Sequence, residues 1–153
     1  MALMGHWRLL LVLLSVIAAP NFVQARQLAL VADPANATAN VASADLVKIF
    51  SARTRTWPDG RPITIVLRDP SSPDMQLVLR KLFNMTPDQV RAFVEAHKGT
   101  IMVADSDDAV IHFVSSTRGA VGVVDLYSLT KDVNVLKIDG KLPVEQGYLL
   151  RGN

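Results

Sequence analysis

The sequence contains no cysteine, which excludes disulfide staples, thiolate metal ligands and a cysteine nucleophile. Histidine is nearly as scarce, at three residues: His6, His97 and His112. Neither His97 nor His112 has a serine or carboxylate spaced as a catalytic motif, so no acid–base or nucleophilic constellation is visible. Aromatic residues make up only 6% of the chain, leaving the core to aliphatic side chains. An excess of one charge is missing too. The formal net charge is +2, with no basic field for nucleic acid or an anionic membrane surface. No apolar run beyond the N-terminal region is long enough to span a bilayer.

What is present begins with that N-terminal region. Arg8 is its single positive charge, Leu9 to Ala19 is unbroken apolar sequence, Pro20 breaks the run, and Val23-Gln24-Ala25 resembles a cleavage site. These are the parts of a secretory signal peptide over residues 1–25, cleaved after Ala25; the rival reading is an uncleaved membrane anchor, for which the apolar run is short of the roughly 20 residues that span a bilayer. The expected product is residues 26–153, periplasmic or secreted and with no membrane segment. Loss of Arg8 leaves fifteen basic and fourteen acidic residues. A chain of this size makes one domain with one core.

Leu28 to Ala32 is a short apolar run closed by Asp33-Pro34, which predicts a buried strand. Ser43 is the expected N-cap of a helix that buries Leu46, Ile49 and Phe50. A loop over Arg53 to Pro62, containing the Pro58-Asp59-Gly60 turn, leads to a strand over Ile63 to Leu67. Met75, Val78, Leu79 and Leu82 share the buried face of the next helix. Thr86-Pro87-Asp88-Gln89 is a capping box with proline at the first helical position. A short strand over Ile101 to Val103, a helix capped by Asp105 or Ser106, a strand over Gly119 to Asp125 and a last strand over Val133 to Ile138 complete the order. Strands alternating with helices predict a layered α/β domain with a mostly parallel or mixed sheet.

The chemically suggestive stretch is Arg68-Asp69-Pro70-Ser71-Ser72-Pro73-Asp74, where a strand feeds a serine-rich turn at a helix start. Such a turn directs free N–H groups outward, and the helix dipole favours an anion there. Arg68, Ser71 and Ser72 are therefore the candidate site for a small anion. In the competing reading the helix end satisfies itself: Ser72 caps it, Pro73 occupies the first position, Asp74 complements the dipole, and Arg68 pairs with Asp69 or Asp74. Asp105-Ser106-Asp107-Asp108 lacks the glycine and distant glutamate of a calcium loop and is explained by a helix start. Trp57 is expected to cover the edge of the core, with ligand stacking as the alternative. Asn36-Ala37-Thr38 and Asn84-Met85-Thr86 match the glycosylation acceptor pattern.

Several segments in this order resemble the phosphate-type periplasmic substrate-binding proteins of ABC transporters. They are LALVADP, ADLVKIFSARTRTWPDGRPITIVLRD, GAVGVVD, and VLKIDGKLP with a late GYLL, and they span most of residues 27–150. The resemblance implies one lobe of a two-lobed type II periplasmic binding protein, with phosphate as the implied anion, no cofactor and no metal. It also implies a non-catalytic function. In that family the strand arginine is followed by a Ser-Gly-Thr turn that holds phosphate. Arg68 and Ser72 match the arginine and serine, but Pro73 and Asp74 stand at the glycine and threonine positions. Proline removes a donor and aspartate adds negative charge. Ala52 replaces a glycine two residues after Phe50, a lesser departure. The expectation is an exported binding domain with weak anion affinity. Its alternative is a ligand-free accessory module that contacts a protein partner or forms a homodimer.

Overall fold

The computed structural model describes residues 26–152; the expected leader, residues 1–25, lies outside them. The elements run in the order β1 (Leu28–Ala32), β2 (Asn40–Val41), α1 (Ser43–Phe50), β3 (Thr64–Arg68), α2 (Pro73–Val78), α3 (Pro87–Ala96), β4 (Ile101–Ala104), α4 (Asp107–Ser116), β5 (Ala120–Asp125), β6 (Asn134–Val135) and β7 (Lys137–Ile138). A π turn, Leu79–Phe83, continues α2, and a 3-10 turn, Leu126–Ser128, follows β5. The main sheet has the order β4-β3-β5-β1-β6. Neighbours of β3 pair with it in parallel, whereas β1 runs antiparallel to both β5 and β6. Four strands thus share one direction and β1 alone is reversed, giving a mixed sheet within a layered α/β domain.

Both faces of the sheet are covered. Leu28, Leu30, Ile65, Leu67, Val121 and Val123 point to one side, where they meet Leu46, Phe50, Val78, Leu82 and Val90 from the helices. Ala29, Val31, Val66, Ala120 and Val124 point to the other and meet Val110, Ile111 and Val114 of α4. The strict alternation along each strand assigns side chains to the two layers, and the continuous apolar runs follow from it. Gly122 lets α4 approach closely, because a Cβ there would stand 2.8 Å from Val110 Cγ1. Gly119 has φ +84°, and a Cβ would collide with the Pro62 carbonyl. Small residues in this strand are therefore a packing requirement.

The Thr86 capping box forms as its sequence predicts: Gln89 N–H donates to Thr86 Oγ1 at 3.3 Å and Thr86 N–H to Gln89 Oε1 at 2.9 Å. Two local expectations need correction. Ser43 is the first helical residue of α1, not its cap, and its N–H donates instead to Asp139 Oδ1 at 2.8 Å. A carboxylate 96 positions away does the capping, which no local pattern reveals. The expected last strand is divided, with β6 on the main sheet and β7 pairing β2 in a separate two-stranded ladder. Ala52, buried, has φ +59°, the conformation glycine adopts most cheaply. The glycine-to-alanine departure thus falls on a strained position, at a cost of roughly 1–2 kcal/mol.

Beyond β7, Tyr148 packs into the core at 3% exposure, its hydroxyl accepting from Leu30 N–H at 3.4 Å. Burial pushes its pKa up to about 12, only partly offset by that hydrogen bond. The folded chain thus holds the phenol proton more tightly than the unfolded chain does. Stability should be unaffected by this group below pH 10 and should fall as pH rises from 10 towards 12, by at most about 1.4 kcal/mol per unit. Denaturant titrations at several alkaline pH values should show this slope reduced in Tyr148→Phe; an identical slope in the variant would refute the assignment.

Candidate anion site

The candidate turn lies at the carboxyl edge of the sheet, where β3 and β5 both end and α4 begins. In open α/β sheets this edge is where ligands collect. Arg68 is the last residue of β3, and its Nη1 lies 2.6 Å from Asp107 Oδ1 at the start of α4. Both side chains are mostly covered, with 21% and 13% of their surface exposed. The second Asp107 oxygen accepts from the Asp125 N–H at 3.0 Å and from the Ser128 hydroxyl at 2.8 Å. One carboxylate therefore joins the ends of β3 and β5, the 3-10 turn and the α4 N-terminus. Asp69 and Asp74, the partners expected for Arg68 in the self-satisfied reading, are not its partners: Asp74 is paired with Arg26.

The serines are separated by their surroundings. Ser71 is exposed and tied to Asp69, whose Oδ1 accepts the Ser71 N–H at 2.8 Å and its hydroxyl at 2.5 Å. Those two bonds, the side-chain one foremost, hold the Asp69 carboxyl below its ordinary pKa. Ser72 occupies the N-cap position of α2, yet its hydroxyl makes no capping bond; it is buried and without a partner. Arg68 Nε is likewise buried and unpartnered. Beside Arg68 is a cavity of about 10 Å³, whose lining includes Asp74, Asp107 and Asp125 but not Ser72. That volume is about enough for one water and too small for phosphate. Three carboxylates surround it.

Of the other sequence candidates, only Asp107 belongs to this cluster. Trp57 is 4% exposed, and its indole N–H donates to the Gly119 carbonyl at 3.0 Å, so it seals the edge of the core. His97 stacks on Phe93 with ring centroids 4.1 Å apart and lies 2.8 Å from the Phe93 carbonyl, while His112 is exposed. Within Asp105-Ser106-Asp107-Asp108, Ser106 caps α4 through the Ala109 N–H at 3.0 Å. Among the described residues, no three His, Asp or Glu side chains are placed to hold a metal ion. Asn36 is buried, and its Oδ1 accepts from the Thr38 N–H at 2.9 Å. A larger open groove of about 530 Å³ lies between Thr38–Ala42, the start of α1 and the Thr54–Gly60 loop, and it shares no lining residue with the Arg68 cavity.

The residue that organises the candidate site, Asp107, was read in the sequence only as part of a helix start. Its link to Arg68 spans 39 positions. The available signal was that a strand-terminal arginine needs a carboxylate from a neighbouring crossover. Asp33 was missed in the same way: it is buried, with Oδ2 accepting from the Gly119 N–H at 2.8 Å.

This arrangement of sheet and helices has counterparts among solved structures of substrate-binding proteins. The chain superposes on an ABC-type phosphate transport receptor from Vibrio cholerae with a TM-score of 0.68 at 20% identity, covering 84% of this chain and 54% of that one. For PstS from Borrelia burgdorferi the TM-score is 0.67 at 20% identity, covering 84% and 55%. A phosphate binding protein from Stenotrophomonas maltophilia gives 0.63 at 18% identity, covering 78% and 40%. The chain thus spans about half the length of these proteins, and at such identities the likeness is one of fold. No family model and no curated protein matches the sequence. No helix among the described residues is long and apolar enough to cross a membrane.

Proposed function

We propose that this chain is an exported, non-catalytic domain of binding-protein-lobe fold that does not hold a free anion at Arg68, Ser71 and Ser72 in its resting form. The observation that carries this reading is the 2.6 Å ion pair of Arg68 with Asp107. The arginine donor that would meet phosphate already has a carboxylate, and the adjoining space admits no ligand larger than water. Ser71 is engaged by Asp69, and Asp74 adds a negative charge to the cavity wall. Calorimetry of residues 26–153 with phosphate and with sulfate should give no binding heat at millimolar anion. A saturable heat that Arg68→Ala abolishes would overturn the reading and restore Arg68, Ser71 and Ser72 as a working site.

A protein contact is the role left to such a module, and one surface supports it. β4 is an edge strand with Met102 40% and Val103 46% exposed. Its bond pattern, in which Ile65 N–H donates to the Thr100 carbonyl, turns the N–H and C=O of Val103 away from the sheet. Thr100 to Ala104 carries no charge and no proline, the devices that usually block strand addition. Such an edge fits a second copy adding its own β4. Sedimentation should show concentration-dependent dimers that Val103→Lys reduces to monomers, whereas a wild-type chain that stays monomeric throughout would exclude this pairing.

A further inference from the structure

The closed state of the Arg68 site has a specific chemical form. Three donors from separate elements converge on the Asp107 carboxylate: Arg68 Nη1 at 2.6 Å, the Asp125 N–H at 3.0 Å and the Ser128 hydroxyl at 2.8 Å. A charged fork, a backbone amide and a hydroxyl aimed at one pair of oxygens make a carboxylate-binding cradle. Its occupant is covalently attached through the first residue of α4. Beside it Arg68 Nε remains buried and unpartnered.

From this geometry we infer that Asp107 is a built-in ligand of an otherwise complete anion cradle, an autoinhibitory contact that a free carboxylate can replace only when the side chain of Asp107 is withdrawn. The inference rests on the reading above that Arg68 is not open to free anions. It goes further by naming the group that keeps the cradle shut and the class of ligand the cradle takes. Asp74 and Asp125 line the same cavity, so a multiply charged anion meets two further carboxylates there. The volume vacated by Asp107 is that of one carboxylate. A monovalent carboxylate such as formate therefore suits the cradle better than phosphate. Asp74 faces Arg26, and Asp125 Oδ1 accepts from the Tyr127 N–H at 2.9 Å, so each of these carboxylates is directed to a group other than Arg68.

Thermal unfolding in sodium formate, sodium phosphate and sodium chloride at equal ionic strength tests this on the chain of residues 26–153. A ligand that binds only the folded state raises the melting temperature with its concentration. Asp107→Ala should be less stable than wild type in chloride and should regain several degrees in formate, with a smaller gain in phosphate. Wild type should show no formate-specific gain, and Arg68→Ala placed in the Asp107→Ala background should remove it. If Asp107→Ala does not fold in chloride, Asp107→Ser carries the same comparison, because its shorter side chain also vacates the place of the carboxylate beside Arg68, the Asp125 N–H and the Ser128 hydroxyl. Formate dependence in neither variant would overturn the inference. Formate or phosphate binding to wild type would instead count against the resting-form reading, so the two failures are distinguishable.

Discussion

The contact between Arg68 and Asp107 is the constraint on which the functional edge of this domain depends. Its 2.6 Å ion pair is one part of a junction in which the same carboxylate also receives the Asp125 amide and the Ser128 hydroxyl. β3 and β5 are parallel neighbours, so their carboxyl ends lie side by side, and α4 starts above them. A charge at that point without a partner would be costly in a largely covered setting. Asp107 neutralises Arg68, satisfies an amide at the end of β5 and complements the α4 dipole from the first helical position. The site is thus shaped by the need to satisfy the sheet edge as much as by any ligand.

The turn after β3 follows the same logic. Pro73 and Asp74 begin α2, with Asp74 answered by Arg26, two residues before β1. Since β1 runs opposite to β5, its first residues arrive at the edge where β3 ends. The reversal of one strand therefore supplies the counter-charge for a carboxylate four elements further along the chain. The likeness to half of several phosphate-binding proteins extends to the architecture, while the side chains at the strand-end turn make ion pairs within the chain.

Much of the fold was legible because its signals are local. The apolar, β-branched run Ile63 to Leu67, the i, i+3, i+4, i+7 spacing of Met75, Val78, Leu79 and Leu82, and the Thr86–Gln89 box each depend on neighbours a few residues apart; the strand, the buried helix face and the box all formed, the helix passing from α to π after Val78. What the sequence hid was distant. Asp139 caps α1 across 96 positions, Asp33 holds Gly119 across 86, and Asp107 holds Arg68 across 39. An isolated aspartate looks the same whether it is solvated or recruited by a remote donor. The candidate trio lies near the sheet edge, yet its members part company: Arg68 turns to α4, Ser71 to Asp69, and the Ser72 hydroxyl is left buried without a partner. The direction of Arg68 depends on where α4 begins in space, which spacing along the chain does not encode.

A double-mutant cycle on Arg68 and Asp107, read by denaturant unfolding, tests the central claim most directly. With the pair partly covered and hydrogen-bonded, Arg68→Ala and Asp107→Ala should each destabilise the domain. The double variant should be less destabilised than the sum of the two, by a coupling energy of about 1–3 kcal/mol. Additive effects within about 0.3–0.5 kcal/mol would show that the two side chains do not depend on each other, and would contradict the account of this edge as closed by its own carboxylate.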